Sequence, residues 1–403
     1  MRTIGVICEY NPFHRGHAWQ LAELRRRFGA DAAIVCAMSG NCVQRGELAL
    51  VRKHVRAEAA VRGGADLVLE IPVPWAIASA EGFARGGVQV LAATGVVDTL
   101  AFGSECADTA RLTRTAEALL APEFPTLLHE ELDKGDSFAA ARMRATERLL
   151  GWAAPELAAP NDILGTEYCK ALRAADSAIV PLALPRSGAA HDGEGSAAHI
   201  RARLLAGEAA DGQMTPEMAR LYAAERAAGR APVTLRTLER AALYRLRTME
   251  EDALAAYDAG GEGLYRRVWT AGREAGSLEE LFAAAKTRRY AHARIRRMLL
   301  AVLLGLPAAE APEKVPYLRV LAMNDRGKAL LHAMRKTAAL PVVVKPAAVR
   351  ALEAEAQRVF ALEARATDLH ALAYPVLAQG RAGSEWTTNP VIVTEEAEEK
   401  ERR

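Results

Sequence analysis

The run Thr3–His17, TIGVICEYNPFHRGH, decides the fold. Thr3–Glu9 is an apolar stretch bounded by polar residues, the pattern of a strand covered on both faces. His17–Phe28 then carries Trp19, Leu21, Leu24 and Phe28 at helical spacing. Working outward, the alternation continues. Ala32–Met38 (AAIVCAM) and Asp66–Ile71 (DLVLEI) read as further buried strands, the second stopped by Pro72. Thr99–Phe102 and Ser177–Leu184 read as a fourth and fifth, and Val51–Arg62 and Ser79–Leu91 as helices. Continuous apolar strands separated by helices predict a parallel sheet with helices on both faces: a doubly wound, Rossmann-like α/β domain. Such sheets bind ligands at the carboxyl ends of their strands, so the residues just after each strand carry the functional expectation.

From about Ala198 strand signals fade and helical runs follow at Pro216–Ala228, Leu235–Leu246 and Ala283–Leu303, the first with Thr215 as N-cap and Pro216 in the first position. Near Val315 strand-like segments return at Val315–Val320 and Leu340–Val344, followed by a helix at Ala348–Leu362. The expected division is a domain over 1–197, a helical domain over 198–312, a small C-terminal α/β unit over 313–394, and a charged, disordered tail over 395–403. The best membrane-span candidate, Ile71–Phe102, is broken by Pro72, Pro74, Glu81, Arg85 and Asp98. No signal-peptide core precedes the first strand, so a cytoplasmic location is expected. The cysteines (Cys8, Cys36, Cys42, Cys106, Cys169) are scattered and form no CxxC pair, which argues against a disulfide framework or zinc site and for small buried hydrophobes. A net charge of only +2 says nothing for or against nucleic acid; local clusters must be asked instead.

The chemistry is expected at the end of the first strand. His14-Arg15-Gly16-His17 sits at a strand-to-helix turn shaped by Pro12 and Phe13. Gly16 lets the backbone approach a ligand, and a helix start offers unpaired N–H groups and partial positive charge suited to phosphate. Two imidazoles on one side of that turn can donate hydrogen bonds to phosphate oxygens.

HxGH after a first strand resembles the signature of the nucleotidyltransferase superfamily. The likeness narrows with GVICEYNPFHRGH, AMSGNCVQRGE (Ala37–Glu47), RAEAAVRGGADLVLEIP (Arg56–Pro72), FGSE (Phe102–Glu105), NDILGTEYCKAL (Asn161–Leu172), PRSGAAHD (Pro185–Asp192), KTRRYAHARIRRMLL (Lys286–Leu300), PYLRVLAMNDRGKALL (Pro316–Leu331) and RATDLHAL (Arg365–Leu372). Together these resemble the tRNA(Met) cytidine acetate ligase family. The resemblance implies that ATP activates acetate as acetyl-adenylate and that the acetyl group passes to the wobble cytidine of elongator tRNA(Met), giving N4-acetylcytidine. It also implies that ATP is held by Ile7, Cys8, Glu9, Tyr10, Asn11, Pro12, Phe13, His14, Arg15, Gly16, His17, Ala18, Trp19 and Gln20, together with Gly103, Asn161 and Arg186. His14 and His17 would be catalytic, stabilising charge on the phosphates. Gly103 and Arg186 follow the fourth and fifth strands, where a doubly wound sheet places ligand contacts. Asn161, opening a helix after Pro160, has a plainer reading as an ordinary N-cap. The superfamily's second phosphate motif is matched only in part by Gly195–Arg201 (GSAAHIR), which leaves Ser196 and Arg201 as phosphate contacts on a weaker match.

Gln44, Arg45 and Glu47 follow the second strand on the same face; Arg45 reads either as a phosphate or acetate ligand or as half of a structural ion pair. No covalent nucleophile is required, and Mg²⁺ is expected with ATP without a nameable protein ligand. Gripping tRNA needs cations, and Lys286–Arg297 (KTRRYAHARIRR) supplies Lys286, Arg288, Arg289, Arg294, Arg296 and Arg297 with no interleaved acid and Tyr290 as a stacking candidate. The plainer reading is a solvated helix face. Two other functions remain open: an adenylyltransferase acting on a small coenzyme precursor, and a non-catalytic nucleotide- and RNA-binding protein. No protein partner is inferred.

Overall fold

The computed structural model describes residues 2–135, 137–186, 195–210 and 212–394. The expected tail at 395–403, and positions 187–192 of the PRSGAAHD block, lie outside the described residues.

Among the described residues the main sheet has eight strands. Five are the predicted ones: β1 (Thr3–Cys8), β2 (Ala33–Ser39), β5 (Leu67–Ile71), β6 (Thr99–Ser104) and β7 (Val180–Pro185). They pair in parallel in the order β5-β2-β1-β6-β7, with Thr3 opposite Ala33 and Cys8 opposite Met38. From β1 the chain winds outward to β2 and β5, then returns to place β6 on the other side of β1. The switch point of this doubly wound sheet therefore lies at the carboxyl ends of β1 and β6. Between β2 and β5 sit a two-residue hairpin, β3 (Cys42–Val43) and β4 (Glu47–Leu48), and the helix α2 (Lys53–Arg62).

The remaining strands are β8 (Leu318–Met323), β9 (Val342–Val343) and β10 (Val391–Ile392). β8 pairs antiparallel with β5, and both β9 and β10 run parallel to β8. The C-terminal strands thus join the N-terminal sheet instead of building one of their own. β8 is buried along its whole length, and its Arg319 guanidinium donates to the carbonyls of Val344 (2.8 Å) and Thr388 (2.9 Å).

A second junction ties the two ends of the chain. Lys53 of α2, wholly buried, places Nζ 2.7 Å from Glu70 of β5 and 2.7 Å from Glu385. Glu363, on the helix Ala354–Leu372, lies beside them; burial and then the Glu70 carboxylate push its carboxyl well above the ordinary range. Buried charges persist only when paired in this way.

Each face of the sheet has its own core, with Leu91, Phe102 and Tyr168 on one and Leu21, Leu24 and Met38 on the other. The helices Glu239–Thr248, Leu264–Glu274, Leu278–Ala285 and His292–Leu304 share a further core built on Leu246, Val268, Leu281, Ile295 and Leu299. That core also takes in Cys42 and Leu48 of the hairpin, so the helical segment is seated on it. Thr215 caps Pro216–Ala227 as expected, its hydroxyl accepting the Met218 N–H.

The expected continuous helix Ala283–Leu303 is interrupted. The Thr287 hydroxyl accepts the N–H groups of Arg289 (3.1 Å) and Tyr290 (3.0 Å), a local turn that competes with helix, and the next helix begins at His292. Four cysteines are buried or half-buried, as expected; Cys106 is exposed. Among the described residues no helix is long and apolar enough to cross a membrane.

Candidate active site

The turn Glu9–His14 leads into the helix α1 (Arg15–Phe28), and His14 is its N-cap. Two histidines make this cap. His14 Nδ1 accepts the Gly16 N–H at 3.1 Å, and His17 Nδ1 accepts the His14 N–H at 3.2 Å. The rings stack, with centroids 3.6 Å apart. Burial, and then the Arg186 guanidinium, lower the His14 pKa to about 4. His17 is held well below the ordinary histidine range by burial, then by His14 and Arg186. Both rings are therefore neutral near pH 7. A neutral ring whose Nδ1 accepts carries its proton on Nε2, so the cap leaves two Nε2–H donors. Gly16 serves the stack directly: a Cβ there would meet the His14 ring at 3.0 Å.

The helix start differs from expectation in one respect. Its first N–H groups are already bonded, Arg15 to the Gln213 carbonyl (3.2 Å), Gly16 to the His14 ring, and His17 to the His14 carbonyl (3.0 Å). The imidazole cap and the Gln213 segment satisfy what a bare helix end leaves open. Anion attraction at this turn rests on the Nε2–H groups and on nearby arginines.

Of the other residues in the segment, Ile7, Tyr10, Asn11, Pro12 and Phe13 are buried. Tyr10 and Phe13 pack edge-on at 4.9 Å and Tyr10 lies 4.7 Å from the His17 ring, so these aromatics brace the histidine instead of lining a cleft. Cys8, half-buried, lies 3.7 Å from the Ala37 carbonyl. The Asn11–Pro12 peptide is cis, and the Asn11 side chain accepts the Leu50 N–H at 2.8 Å. Ala18 and Gln20 are half-buried, whereas Arg15 and Trp19 are exposed on the outer side of α1.

Of the predicted distant residues, Arg186, Arg201 and Arg45 reach this turn, and Gly103 lies under Arg186. The Arg186 backbone follows β7, and its stem lies over Gly103, where a Cβ would meet Arg186 Cγ at 3.3 Å. Arg201 donates to the Asn11 carbonyl at 2.7 Å. Ser196 caps the helix Ala197–Leu205 by accepting the His199 N–H at 3.2 Å. Arg45, at the tip of the hairpin, lies close enough to Glu9 to favour its ionised form. Asn161 is not an N-cap: Ala159 holds that position and Asn161 is the second residue of Pro160–Ala174. Its side-chain amide donates to Glu105 at 2.5 Å, and Glu105 also accepts the Asp162 N–H at 2.9 Å. Asp162 in turn accepts from the Ser104 hydroxyl (2.5 Å) and the Glu105 N–H (2.8 Å). This reciprocal lock holds the end of β6 to the helix and orients Asn161.

Residue-level reading missed two groups, Glu105 and Arg56. Buried Arg56 of α2 donates to the carbonyls of Glu9, Ser39 and Gly40, which ties the ends of β1 and β2 together. Both lie in quoted blocks, FGSE and RAEAAVRGG, but nothing local marks them.

The basic tract borders the same site. The hairpin tip Gly46 has φ +76°, and a Cβ there would strike the Arg297 backbone nitrogen at 2.5 Å. Arg296 pairs with Glu47 at 2.5 Å, and Arg294 with Glu262 at 2.7 Å and Asp258 at 3.3 Å. Lys286, Arg288 and Arg289 are exposed. Burial, then Arg294, lower Arg297 to about 10. Tyr290 does not offer a stacking face: it is buried and its hydroxyl donates to the Glu262 carbonyl at 2.6 Å.

Known proteins resemble the chain along nearly its whole length. Residues 1–385 match the family model described as HIGH Nucleotidyl Transferase. A tRNA(Met) cytidine acetate ligase of Acetivibrio thermocellus is 36% identical over 98% of this chain and 100% of its own length. That of Syntrophotalea carbinolica is 40% identical over 85% of this chain and 84% of its own. Among solved structures, Thermotoga maritima TmcAL bound with alpha-thio ATP superposes with a TM-score of 0.91 at 32% identity, covering 98% of this chain and 100% of that one. The apo form of the same protein gives 0.92 at 31% identity.

Proposed function

The chain belongs to the tRNA(Met) cytidine acetate ligases, a branch of the HIGH nucleotidyl transferases, and from that premise we propose that the turn after β1 is where it activates acetate with ATP for transfer to the wobble cytidine of elongator tRNA(Met). The observation that carries this reading is the stacked, neutral histidine cap with its two Nε2–H donors at the switch point of the sheet.

Acetate is a poor electrophile until its oxygen carries a good leaving group. In the first step an acetate oxygen attacks the α-phosphorus and pyrophosphate leaves in line. Such a reaction needs positioning and charge stabilisation rather than a covalent enzyme group. His14 and His17 donate to the phosphates, while Arg186, Arg201 and Arg45 supply positive charge around the same turn. Gly103 and Asn161 complete the nucleotide site at the end of β6. Mg²⁺ would accompany ATP and would supply charge neutralisation at the phosphates. In the second step the cytidine amine takes the acetyl group and AMP leaves.

The wobble base is single-stranded and can be splayed into a pocket. Lys286, Arg288 and Arg289 grip the tRNA backbone, with Arg294, Arg296 and Arg297 behind them in the helical segment 198–312. An adenylyltransferase of a small coenzyme would not need that surface beside its nucleotide site. A tRNA substrate puts the protein in the cytoplasm.

The test is to incubate the protein with acetate, ATP and elongator tRNA(Met) and analyse the wobble nucleoside by mass spectrometry. The expected product is acetylated cytidine, formed only with both acetate and ATP. Unmodified cytidine together with no acetate-dependent ATP–pyrophosphate exchange would refute the reading.

A further inference from the structure

We propose that Glu9 is the base that takes the proton from the cytidine amine as it attacks the acetyl-adenylate. This rests on the reaction assigned above and names a residue for its second step.

The exocyclic nitrogen of cytosine is a weak nucleophile because its lone pair is shared with the ring. As it adds to the acetyl carbonyl carbon, the new C–N bond forms, the C–O bond to phosphate breaks, and AMP leaves with the electron pair. The nitrogen must also shed a proton, and a carboxylate within reach accepts it and later returns it to solvent.

Glu9 stands where such a group is needed. It is the residue that follows β1, at the switch point, directly before the turn that holds His14 and His17. One of its oxygens, Oε1, accepts the Gln44 N–H at 2.6 Å; among the described residues no hydrogen bond engages Oε2. Burial raises the proton affinity of Glu9 above that of an ordinary carboxylate, opposed by the Gln44 N–H, Arg201, Arg56 and Arg45. The facing groups are thus Gln44 and Arg45 from the hairpin, Arg56 from α2 and Arg201 from Ala197–Leu205, with Tyr168 and Cys8 adjacent. The hairpin that holds Glu9 also carries Gly46, seated on the backbone of Arg296 and Arg297. The basic surface that would deliver the anticodon loop and the carboxylate that would receive the proton are joined by a single short turn.

A purely structural role, anchoring the hairpin through Gln44, is the competing account. Glu9→Gln separates the two, because the amide keeps an acceptor oxygen for Gln44 but cannot take the proton. Two rates are read on the full-length protein: acetate-dependent ATP–pyrophosphate exchange, and single-turnover acetyl transfer from synthetic acetyl-adenylate to tRNA(Met). The expected result is a transfer rate lowered about 100-fold more than exchange, within the usual range of general-base contributions. Wild-type transfer should rise with pH through the Glu9 ionisation and level off; in Glu9→Gln that rise should vanish, and Glu9→Asp should restore it at lower rate. Equal losses in both half-reactions, or transfer by Glu9→Gln close to wild type, would overturn the role of Glu9 alone. Absence of acetate-dependent exchange in the wild-type protein would instead overturn the reaction on which the role depends.

Discussion

At the turn after β1, two histidines lie half-buried and stacked, their Nδ1 atoms accepting the backbone N–H groups of Gly16 and His14. On the Lys286–Arg297 tract, three cations stand exposed, Arg289 among them 3.5 Å from Glu262, and Arg294 and Arg296 are paired with carboxylates from other segments. Both regions are assigned to phosphate, yet one has given up charge for fixed geometry and the other keeps charge with little geometry. The difference fits the tasks. A reacting phosphate needs donors set to a fraction of an ångström, which buried and neutral groups provide. A long polyanion needs neutralisation wherever its backbone passes, which exposed cations provide at the cost of salt sensitivity.

The sharpest test of the comparison is His17→Ala. It removes one fixed donor and unstacks the other, and the barrier to acetate-dependent pyrophosphate exchange should rise by roughly 2.7–4 kcal/mol, as for loss of an oxyanion donor. Exchange at wild-type rate would break the comparison on the turn's side. Next in size is the combined replacement of Lys286, Arg288 and Arg289 by alanine. Three lost contacts to single-stranded phosphate should flatten the slope of log affinity for tRNA against log salt by about two units, with a much smaller effect on ATP affinity. An unchanged slope in filter-binding titrations would remove the tract from the tRNA surface. The smallest effect is expected from Glu47→Gln, which frees Arg296 from a pair about one-third exposed. Pairs of this kind contribute about 0–1 kcal/mol, so stability should barely change while tRNA affinity tightens by no more than a few-fold. A large loss of stability in thermal melts would mean that the pair holds the hairpin in place.

The same two regions show what sequence can carry. The five parallel strands and the histidine turn were legible because each is continuous in the chain: an apolar run long enough to fill a sheet, then HxGH. What was not legible depends on partners far along the chain. Nothing in KHVRAEAAVR says that Lys53 and Arg56 are buried, because their partners lie on β5, on other strand ends and near the C-terminus. KTRRYAHARIRR holds no acid, but folding brings Glu47, Asp258 and Glu262 against it. Tyr290, plausible for stacking by composition, is covered by the Gly260–Gly263 neighbourhood through Glu262. The helix break at Thr287 was hidden by apolar residues that keep helical spacing on both sides of it.

The pairing of β8 with β5 has a consequence for how the protein is made. Synthesis releases β1 through β7 well before β8 leaves the ribosome, so the outer rim of β5 waits as an unfilled row of amide and carbonyl groups on a strand that is apolar except for Glu70. Such a rim can recruit the strand of a neighbouring nascent chain. Shortened chains that stop ahead of Leu318 would carry that rim permanently, and a chaperone that shields it during translation would help most in the interval before the last fifth of the polypeptide emerges.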